Sequence, residues 1–560
     1  MVKQNKWLQA LIFMVLLVAL NAAAHYAYTR FDFTRDKRFT LNPKSKAVLA
    51  KVDQQVNVTI FLDGKLPSAF KRLRSATADL LDDYQANANK KIKVVFTDPF
   101  EGLDQQAQDT VLQNLYSIGI EPTNLNVKND AGFTQKTIFP MAIVQCGERQ
   151  VPVKLLQNLD AGGNYEQNIN NSIQNLEYVF TSAIKKVSSG ENPRIGFTEG
   201  NGEPADAYLS DAMKVLSDSY EVGRVDLNVI SKEGLDKLKV LFITKPQKEF
   251  SEALKYKINY FVMNGGRIVW SVDQVSADLD SLQGKGEQLA FNNKLNLDDM
   301  LFIYGARINY NLVADLNCAE IPVAMGGGGG QRDIQMAPWI YYPVLIPDTG
   351  LSMVKNIDGV RTEFLSSVDT IGVKGVKKTV ILHSSAYNIE HVTPKLLSLQ
   401  TIAETPDQRI YNHAPRNAAV LLEGSFPSVF ANRGVPAGIS ENFATPERSK
   451  NTKMIVIGDG DVFRNQVSGR DGSVFPLGFD RYTQRNFGNK ALLLNIADYL
   501  SSDDNLIALR SKEVSVRLLD KQILKEEKSK WQIINLVIPV LLIILFAIFQ
   551  HYYRKYKYAR

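Results

Sequence analysis

The sequence predicts an α/β protein with two exported α/β domains, flanked by an N-terminal and a C-terminal transmembrane helix. Three observations lead to this fold class. Apolar segments of about membrane-spanning length lie near both ends of the chain. Between them, β-branched runs alternate with amphipathic stretches. Finally, 45% hydrophobic and 22% charged residues over 560 positions are typical of a globular protein with large cores.

The two terminal segments are predicted to span the membrane at 7–28 and 531–553. Tryptophan and tyrosine residues stand at the edges of both segments, as in the interfacial belts of membrane proteins. An alternative for the first segment is a cleaved signal peptide, because residues 1–24 combine a basic start, an apolar middle and a final Ala22–Ala24. Both alternatives export residues 31–530 and leave the C-terminal helix as an anchor.

The charges of the two tails predict the orientation. Counting the basic residues beside each span does not decide the orientation, because lysines and arginines also follow the first segment and precede the second. A connecting stretch of this length is translocated largely regardless of charge, so the tails decide. We therefore expect a protein of the cell inner membrane with its large domain in the periplasm and both tails cytoplasmic. The basic tail residues are Lys3, Lys6, Arg554, Lys555, Lys557 and Arg560.

Residues 30–188 are predicted to form the first α/β domain. The order is strand, helix, strand, helix and hairpin, with the hairpin turning at Cys146–Gly147. This order resembles a thioredoxin-like fold, with Pro140 where that fold keeps a cis-proline. The Cys-x-x-Cys pair is replaced by Asp63-Gly-Lys65, which makes the domain redox-dead. The predicted elements are strand 56–62, helix 68–86, strand 92–97, helix 105–118 and hairpin strands 136–144 and 148–155.

Residues 193–510 are predicted to form a second domain, a flavodoxin-like or class I amidotransferase-like open sheet. Several of its strands are continuous apolar runs, as expected for a parallel sheet buried on both faces. Gly- and Pro-rich sequence at 276–375 is interpreted as an insertion, and 512–530 as a juxtamembrane helix. The predicted strands are 194–198, 221–226, 240–244, 267–272, 379–383, 418–423 and 454–458, and the predicted helices are 206–219 and 251–263.

Composition and motifs exclude several classes of activity. Cys146 and Cys318 form no Cys-x-x-Cys pair, and five scattered histidines form no HExxH motif, so no metal or cofactor is expected. Gly326–Gly330 lacks the Lys-Ser/Thr of a phosphate-binding loop and is interpreted as a flexible loop. The nearest approach to a nucleophile elbow, at Ser425, lacks its second glycine. The sequence thus predicts no enzyme and no catalytic residue. The net charge of +6 without a basic stripe outside the tails argues against nucleic acid.

Polar residues after the predicted strands form the candidate ligand site. Ligands of open parallel sheets bind beyond the carboxyl ends of the strands. Carboxylates there could hold a cation or sugar hydroxyls, and the alternative is that they form turns and cap helices. The candidates are Glu199 and Glu203 after the first strand, Asp273 after the fourth, and Asp459, Asp461 and Arg464 after the last.

The C-terminal segment carries a candidate docking face. Asn535 and Pro539 lie four residues apart, hence on one face of a helix. An amide in lipid is costly without a partner, and proline frees a backbone carbonyl. Packing against the helices of a membrane partner would satisfy both groups. The alternative is that Asn535 lies at the headgroup boundary beside Trp531.

Four stretches together resemble the GldG family, the auxiliary or "substrate-binding" component of the Bacteroidetes gliding-motility ABC transporter. They are DKRFTLNP at 36–43, YKINYFVMNGGRIVW at 256–270, APWIYYP at 337–343 and IVIGDGDVFRN at 455–465. The resemblance implies a non-catalytic, membrane-anchored periplasmic subunit. It also implies a multispanning ABC permease and a separate cytoplasmic ATPase as partners, with a possible homo-oligomer through the permease complex. The alternative function is a periplasmic receptor for a small polar ligand or glycan, bound in the acidic crevice.

Overall fold

A computed structural model describes most of the chain. It covers residues 13–18, 40–120, 122–129, 132–156, 165–189, 192–325, 333–355, 357–439, 443, 445–502, 506–511 and 521–558. These residues fall into two compact units, one ending at residue 512 and one beginning at residue 513. Both predicted α/β domains lie in the first unit, and we use "first domain" and "second domain" for the predicted ranges 30–188 and 193–510. The predicted glycine loop at 326–330 lies outside the described residues, as does all of the predicted N-terminal span except 13–18, which is helical.

The first α/β domain is built around a four-stranded sheet in the order β2–β1–β5–β6, in which β1 and β2 are parallel and the other neighbours antiparallel. Strands β3 and β4 form a separate hairpin. The helices are α1 (Pro43–Ala50), α2 (Ser68–Asn87), α3 (Gln105–Ser117) and α4 (Tyr165–Ser188). The strands are β1 (Val56–Ile60), β2 (Ile92–Phe96), β3 (Thr123–Asn129), β4 (Gly132–Ile138), β5 (Met141–Cys146) and β6 (Arg149–Lys154).

The predicted elements of this domain are present, with two corrections. The expected strand 136–144 is divided, because β4 ends at Ile138 and β5 begins at Met141. The peptide bond before Pro140 is not cis. Instead, the Met141 amide donates to the Phe139 carbonyl at 2.8 Å, which closes a tight turn around Pro140. The fixed φ of proline suits this turn. The thioredoxin-like assignment stays a prediction.

The second domain contains a large mixed sheet and several small ones. Its strands are β7 (Arg194–Glu199), β8 (Glu221–Asp226), β9 (Leu238–Thr244), β10 (Arg267–Ser271), β11 (Val275–Ser276), β12 (Glu287–Asn292), β13 (Ala306–Ile308), β14 (Asn311–Asp315), β15 (Cys318–Met325), β16 (Asp333–Pro347), β17 (Val360–Arg361), β18 (Val368–Thr370), β19 (Val376–His383), β20 (Asn388–Val392), β21 (Lys395–Ser398), β22 (Asn417–Gly424), β23 (Thr452–Ile457), β24 (Phe479–Asp480) and β25 (Arg485–Asn486). Its helices are α5 (Asp206–Ser217), α6 (Lys232–Asp236), α7 (Glu252–Met263), α8 (Leu279–Lys285), α9 (Asp298–Tyr304) and α10 (Asn489–Ser501), with short 3-10 helices at Leu399–Ala403 and Leu506–Ser511.

The large sheet has the order β15–β16–β19–β22–β23–β10–β9–β7–β8, with β17 also paired to β16. All seven strands predicted from the sequence are present in it. Strands β8, β7, β9, β10 and β23 are parallel. The expectation of a parallel sheet is wrong for β19 and β22, which run antiparallel to their neighbours.

The apolar run of β22 explains this error. Ala419 and Leu421 enter the core on one face of the sheet, while Val420 and Leu422 enter the core on the other. Burial on both faces requires apolar residues at successive positions, whatever the direction of the strand. Helices α5 and α10 contribute to the first core, whereas α7 and α9 contribute to the second.

The region 276–375, predicted as an insertion, is part of the sheet system. Strand β16 pairs with β15 along most of its length and with β19 through Ile346 and Pro347. The same region supplies strands to three small sheets, β11–β12–β21, β13–β18 and β14–β20. The insertion therefore extends the large sheet instead of standing apart from it. The flavodoxin-like assignment stays a prediction.

A partly buried carboxylate joins the first domain to the second. Asp498 of α10 accepts hydrogen bonds from Tyr178 (2.6 Å) and Lys186 (2.8 Å) of α4, and from Tyr220. Burial alone would raise the pKa of Asp498, but the Lys186 ammonium and the hydrogen bonds outweigh it and lower the pKa. The ionised carboxylate thus holds α4 against α10.

The C-terminal unit is one long helix, α11 (Lys521–Tyr558). It contains a candidate membrane span at Lys530–Lys557, whose most apolar 18-residue stretch has a mean hydropathy of 2.7. The predicted juxtamembrane helix and the predicted span are continuous from Lys521 onward, and 512–520 lies outside the described residues. Pro539 lies inside the helix.

We expect Asp498→Ala to destabilise the first unit by about 1–3 kcal/mol, because it leaves the partly buried Lys186 ammonium without its carboxylate. Thermal unfolding of the full-length protein measures this loss, and limited proteolysis should show faster cleavage between α4 and β7. Asp407→Ala is the matched control, since Asp407 pairs only with Arg409 two residues away on an exposed loop. Equal unfolding midpoints for the two variants would contradict a joining role for Asp498.

Candidate functional site

The predicted site residues that come together lie at the carboxyl ends of β9, β10 and β23. These three strands are parallel and adjacent in the sheet, so the segments that follow them meet at one edge. Lys245 follows β9, Asp273 follows β10, and Asp459 and Asp461 follow β23. Residue burial is nearly complete, since Asp273, Asp459 and Asp461 are 7%, 0% and 8% exposed. We call these four residues the charged cluster.

Lys245 is the central residue of the charged cluster. Its ammonium lies 3.0 Å from the Asp273 carboxylate and also forms an ion pair with Asp461. Arg464 contacts Asp461 from the other side at 3.0 Å. One oxygen atom from each of the three aspartates lies within 4.8 Å of the others. Two cations therefore compensate three carboxylates that lie close together.

Backbone amides satisfy the remaining carboxylate oxygens. Asp459 accepts hydrogen bonds from the amides of Glu363 (2.7 Å) and Asp461 (2.6 Å), and the second of these is a local turn of the kind that aspartate forms. Asp273 accepts from the Gly460 amide at 2.5 Å. The hydrogen bonds of Asp459 therefore fit the alternative in which the aspartate forms a turn, whereas Asp273 and Asp461 pair with Lys245.

The backbone of the cluster is tightly constrained. Lys245 has a left-handed φ of 48°, which is unusual for a residue with a side chain. Gly460 has no space for a side chain, since a Cβ atom there would lie 2.7 Å from Cβ and Cγ of Lys245. Such conformations persist only where the surroundings enforce them. Here the ion pairs and the adjacent loop hold Lys245 in place.

The charged groups of the cluster shift one another's pKa values. Burial alone would lower the pKa of Lys245, but Asp273 and Asp461 outweigh it and raise the pKa. Burial and the charge of Asp461 raise the pKa of Asp273 and of Asp459. Burial alone would also raise the pKa of Asp461, but the charges of Lys245 and Arg464 outweigh burial and lower the pKa. The lysine is therefore charged at neutral pH, and Asp461 is an ionised partner.

A second layer of charge lies against the cluster. The segment whose Glu363 amide binds Asp459 also carries an ion pair between Arg361 and Glu363 at 3.0 Å. Tyr342 of β16 donates to Glu363 at 3.2 Å, and the Arg361 guanidinium lies over the Tyr342 ring at 5.1 Å. The supposed insertion therefore covers the ends of the parallel strands.

Glu199 and Glu203 lie outside the charged cluster. Glu199 pairs with Arg224 at 3.4 Å, and Glu203 accepts the Asn201 amide at 2.7 Å. Arg464, by contrast, pairs with Asp461 of the cluster and covers the Tyr208 ring at 4.4 Å. Ligand binding by these residues stays a prediction.

The chemistry of the cluster is that of an internal ion network. Three carboxylates could ligate a hard cation. In the cluster, however, the Lys245 ammonium lies among them and backbone amides occupy Asp459 and Asp273, so a metal ion would have to displace a paired lysine. Sequence reasoning missed Lys245 because it took candidates from the ends of the first, fourth and last predicted strands. The same rule applied to the residue after β9 would have found it.

The cysteines and the docking-face residues are not members of the charged cluster. Cys146 is buried and Cys318 is partly buried, and both are free thiols. Burial raises the pKa of the Cys318 thiol to about 12, so it stays protonated at neutral pH. In the separate C-terminal unit, Asn535 and Pro539 are exposed on α11 within the candidate span.

Comparisons with known proteins concern most of the chain. Residues 192–496, more than half of the chain, match a family described as an ABC-type uncharacterized transport system. Residues 35–145 match a domain family of unknown function, DUF7088. An uncharacterized protein of Borreliella burgdorferi is 21% identical over 561 residues, which covers 98% of this chain and 97% of that protein. The structural match to the solved mmIFT52 N-terminal domain covers 56% of this chain and 98% of that chain, with 12% sequence identity and a TM-score of 0.32.

We expect Lys245→Met to lower the free energy of unfolding by about 3–5 kcal/mol at neutral pH, because it leaves buried carboxylates without their cation. Without the lysine, the pKa of these carboxylates rises above the unfolded value. The folded state then binds more protons, and the variant should regain stability as the pH falls from about 7 to about 5. In the wild type, Asp461 stays ionised over this range, because its contribution is lost only as the pH falls from the unfolded pKa of about 4 through its lowered folded pKa. The gap between the proteins therefore narrows through the gain of the variant.

Unfolding midpoints measured across this pH range test the expectation. Lys237→Met is the control, because Lys237 makes an exposed pair with Glu233 and should leave the midpoint unchanged. A Lys245→Met protein that loses further stability on acidification would contradict the network.

Proposed function

The chain belongs to the ABC-type uncharacterized transport system family, a family of transport auxiliary proteins, and from this premise we propose that it is a non-catalytic, membrane-anchored periplasmic subunit of an ABC transporter. The family membership is the observation that carries the proposal. The partners we propose are a multispanning permease and a separate cytoplasmic ATPase. The association with gliding motility rests on the resemblance to the GldG family.

Two features of the chain support an accessory role. The sequence has no phosphate-binding loop of the Gly-x4-Gly-Lys-Ser/Thr type, so nucleotide hydrolysis is assigned to another subunit. The candidate span in α11 is strongly apolar, and its side chains are exposed along Lys530–Lys557. A lipid environment or helices of a membrane partner would cover these side chains.

The docking face of α11 supports contact with the permease. Pro539 has no amide hydrogen, so the carbonyl of residue 535, four positions earlier, lacks its usual helical donor. The same residue, Asn535, also carries a side-chain amide. Both polar groups are therefore concentrated at one level of one helix face. In a bilayer, each gains from a hydrogen bond to a neighbouring helix, worth on the order of 1 kcal/mol.

A receptor that binds a polar ligand or glycan in the acidic crevice was the alternative function. Such a ligand would compete with the Lys245 ammonium, which already pairs with Asp273 and Asp461. No described contact in the cluster favours a ligand over the lysine, so we retain the accessory-subunit proposal.

Replacing the docking face should separate anchoring from partner contact. We expect Asn535→Leu with Pro539→Leu to insert into the membrane normally but to reduce the co-purified permease several-fold, because the interhelical hydrogen bonds are lost. Ile533→Leu with Val537→Leu changes the opposite face of the same helix turns and is the matched control. Detergent pull-down with quantitative mass spectrometry measures the outcome. Equal permease recovery from both variants would place the contact elsewhere.

The proposed orientation predicts the behaviour of reporter fusions. A reporter fused after Arg560 should be active only if it functions in the cytoplasm, and a reporter inserted at Ser189 only if it functions in the periplasm. The basic tails provide the physical reason, since lysine and arginine near a span favour the cytoplasmic side. The reverse pattern would refute the topology.

A further inference from the structure

A polar cleft lies in the second domain, apart from the charged cluster. It has a volume of about 540 Å³ and lies where the small sheets β13–β18 and β14–β20 meet the start of β22. Its lining includes Arg307, Tyr310, Ser367, Asp369, Glu390 and Arg416, and we call it the arginine cleft. The volume falls within the range of small-molecule sites.

Each arginine of the cleft is oriented by its own carboxylate. Arg307 lies 2.8 Å from Asp369, with the pair about half exposed. Arg416 lies 3.1 Å from Glu390. The Nε atom of Arg416 is buried and has no hydrogen-bond partner among the described residues. A guanidinium fixed in this way keeps further N–H groups for a ligand.

A buried polar floor makes the cleft rigid. Asn311 is 8% exposed and Ser367 is 3% exposed. The Asn311 amide donates to the Ser367 hydroxyl and to the Glu390 carboxylate, both at 2.9 Å, and its oxygen accepts the Ser367 amide at 3.0 Å. Side chains held by a second layer of hydrogen bonds form a site that is ordered before binding.

The charge balance of the cleft selects the class of ligand. Two guanidinium groups face two carboxylates, so the named charges cancel. A phosphate would meet the repulsion of Asp369 and Glu390, and a cation that of the arginines. Hydroxyl groups, which both donate and accept hydrogen bonds, suit alternating donors and acceptors.

The rim of the cleft adds an oriented aromatic ring. Tyr310 is 36% exposed, and its hydroxyl donates to Asp298 at 2.8 Å, which fixes the ring. Val392, 74% exposed, also lines the cleft. An apolar ring beside polar groups suits a ligand that has one polar edge and one C–H face. We propose that the arginine cleft binds a neutral saccharide.

The test uses full-length protein in a detergent without a sugar headgroup. The probes are glucose, galactose, mannose, N-acetylglucosamine and their common disaccharides, followed by saturation-transfer NMR and calorimetry. Inorganic phosphate is the anionic probe, which tests whether the cleft binds anions instead of neutral sugars. We expect at least one neutral sugar to bind. Arg416→Gln and Tyr310→Ala should each weaken that binding about tenfold, since each removes a direct contact. Tyr310→Phe should retain it.

Arg409→Gln is the control, because this arginine is 90% exposed and pairs with Asp407 on a distant loop segment. Unfolding midpoints show that each variant is folded, and Tyr310→Ala serves as the second test if Arg416→Gln does not fold. The proposal is overturned if no sugar binds, if phosphate alone binds, or if sugar binding is unchanged in the folded variants. The permease experiment is independent, because the cleft and α11 belong to different units.

Discussion

The ion pair between Lys245 and the buried aspartates is the interaction on which the second domain depends most. Three carboxylates at the ends of adjacent parallel strands would repel one another strongly in a low-dielectric interior. Lys245 removes that repulsion and at the same time connects the segments after β9, β10 and β23. The Glu363 amide extends the network to the segment between β17 and β18. One buried ammonium therefore links the parallel half of the sheet to the region that covers it.

The sequence predicted the parts of this arrangement that depend on local pattern. The strands β7, β9 and β10 were evident from their apolar runs. The carboxyl ends of adjacent parallel strands meet at one edge of the sheet, which correctly predicted that Asp273 and Asp461 lie close together. The same rule did not bring Glu199 into the cluster. The turn after β7 folds onto the loop after β9, where the Asn201 carbonyl accepts the amides of Gln247 (2.9 Å) and Lys248 (2.8 Å).

Features that depend on distant parts of the chain were not predictable in the same way. An apolar run such as β22 indicates burial on two faces but contains no information about strand direction. The arginine cleft draws its side chains from segments around residues 307–311, 367–369, 390–392 and 416, and no spacing along the chain relates them. Lys245 was missed because candidates were taken from the ends of the first, fourth and last predicted strands, and the residue that follows β9 was not considered.

The uninterrupted helix α11 has a mechanical consequence. Its 38 residues correspond to about 57 Å at 1.5 Å per residue. The hydrocarbon core of a bilayer is about 30 Å thick. In the proposed membrane-anchored subunit, roughly 27 Å of helix would lie outside the hydrocarbon core, divided between the two ends of the span. In that setting, a tilt imposed on the membrane-embedded part of the helix would be converted into a sideways displacement of both projecting ends.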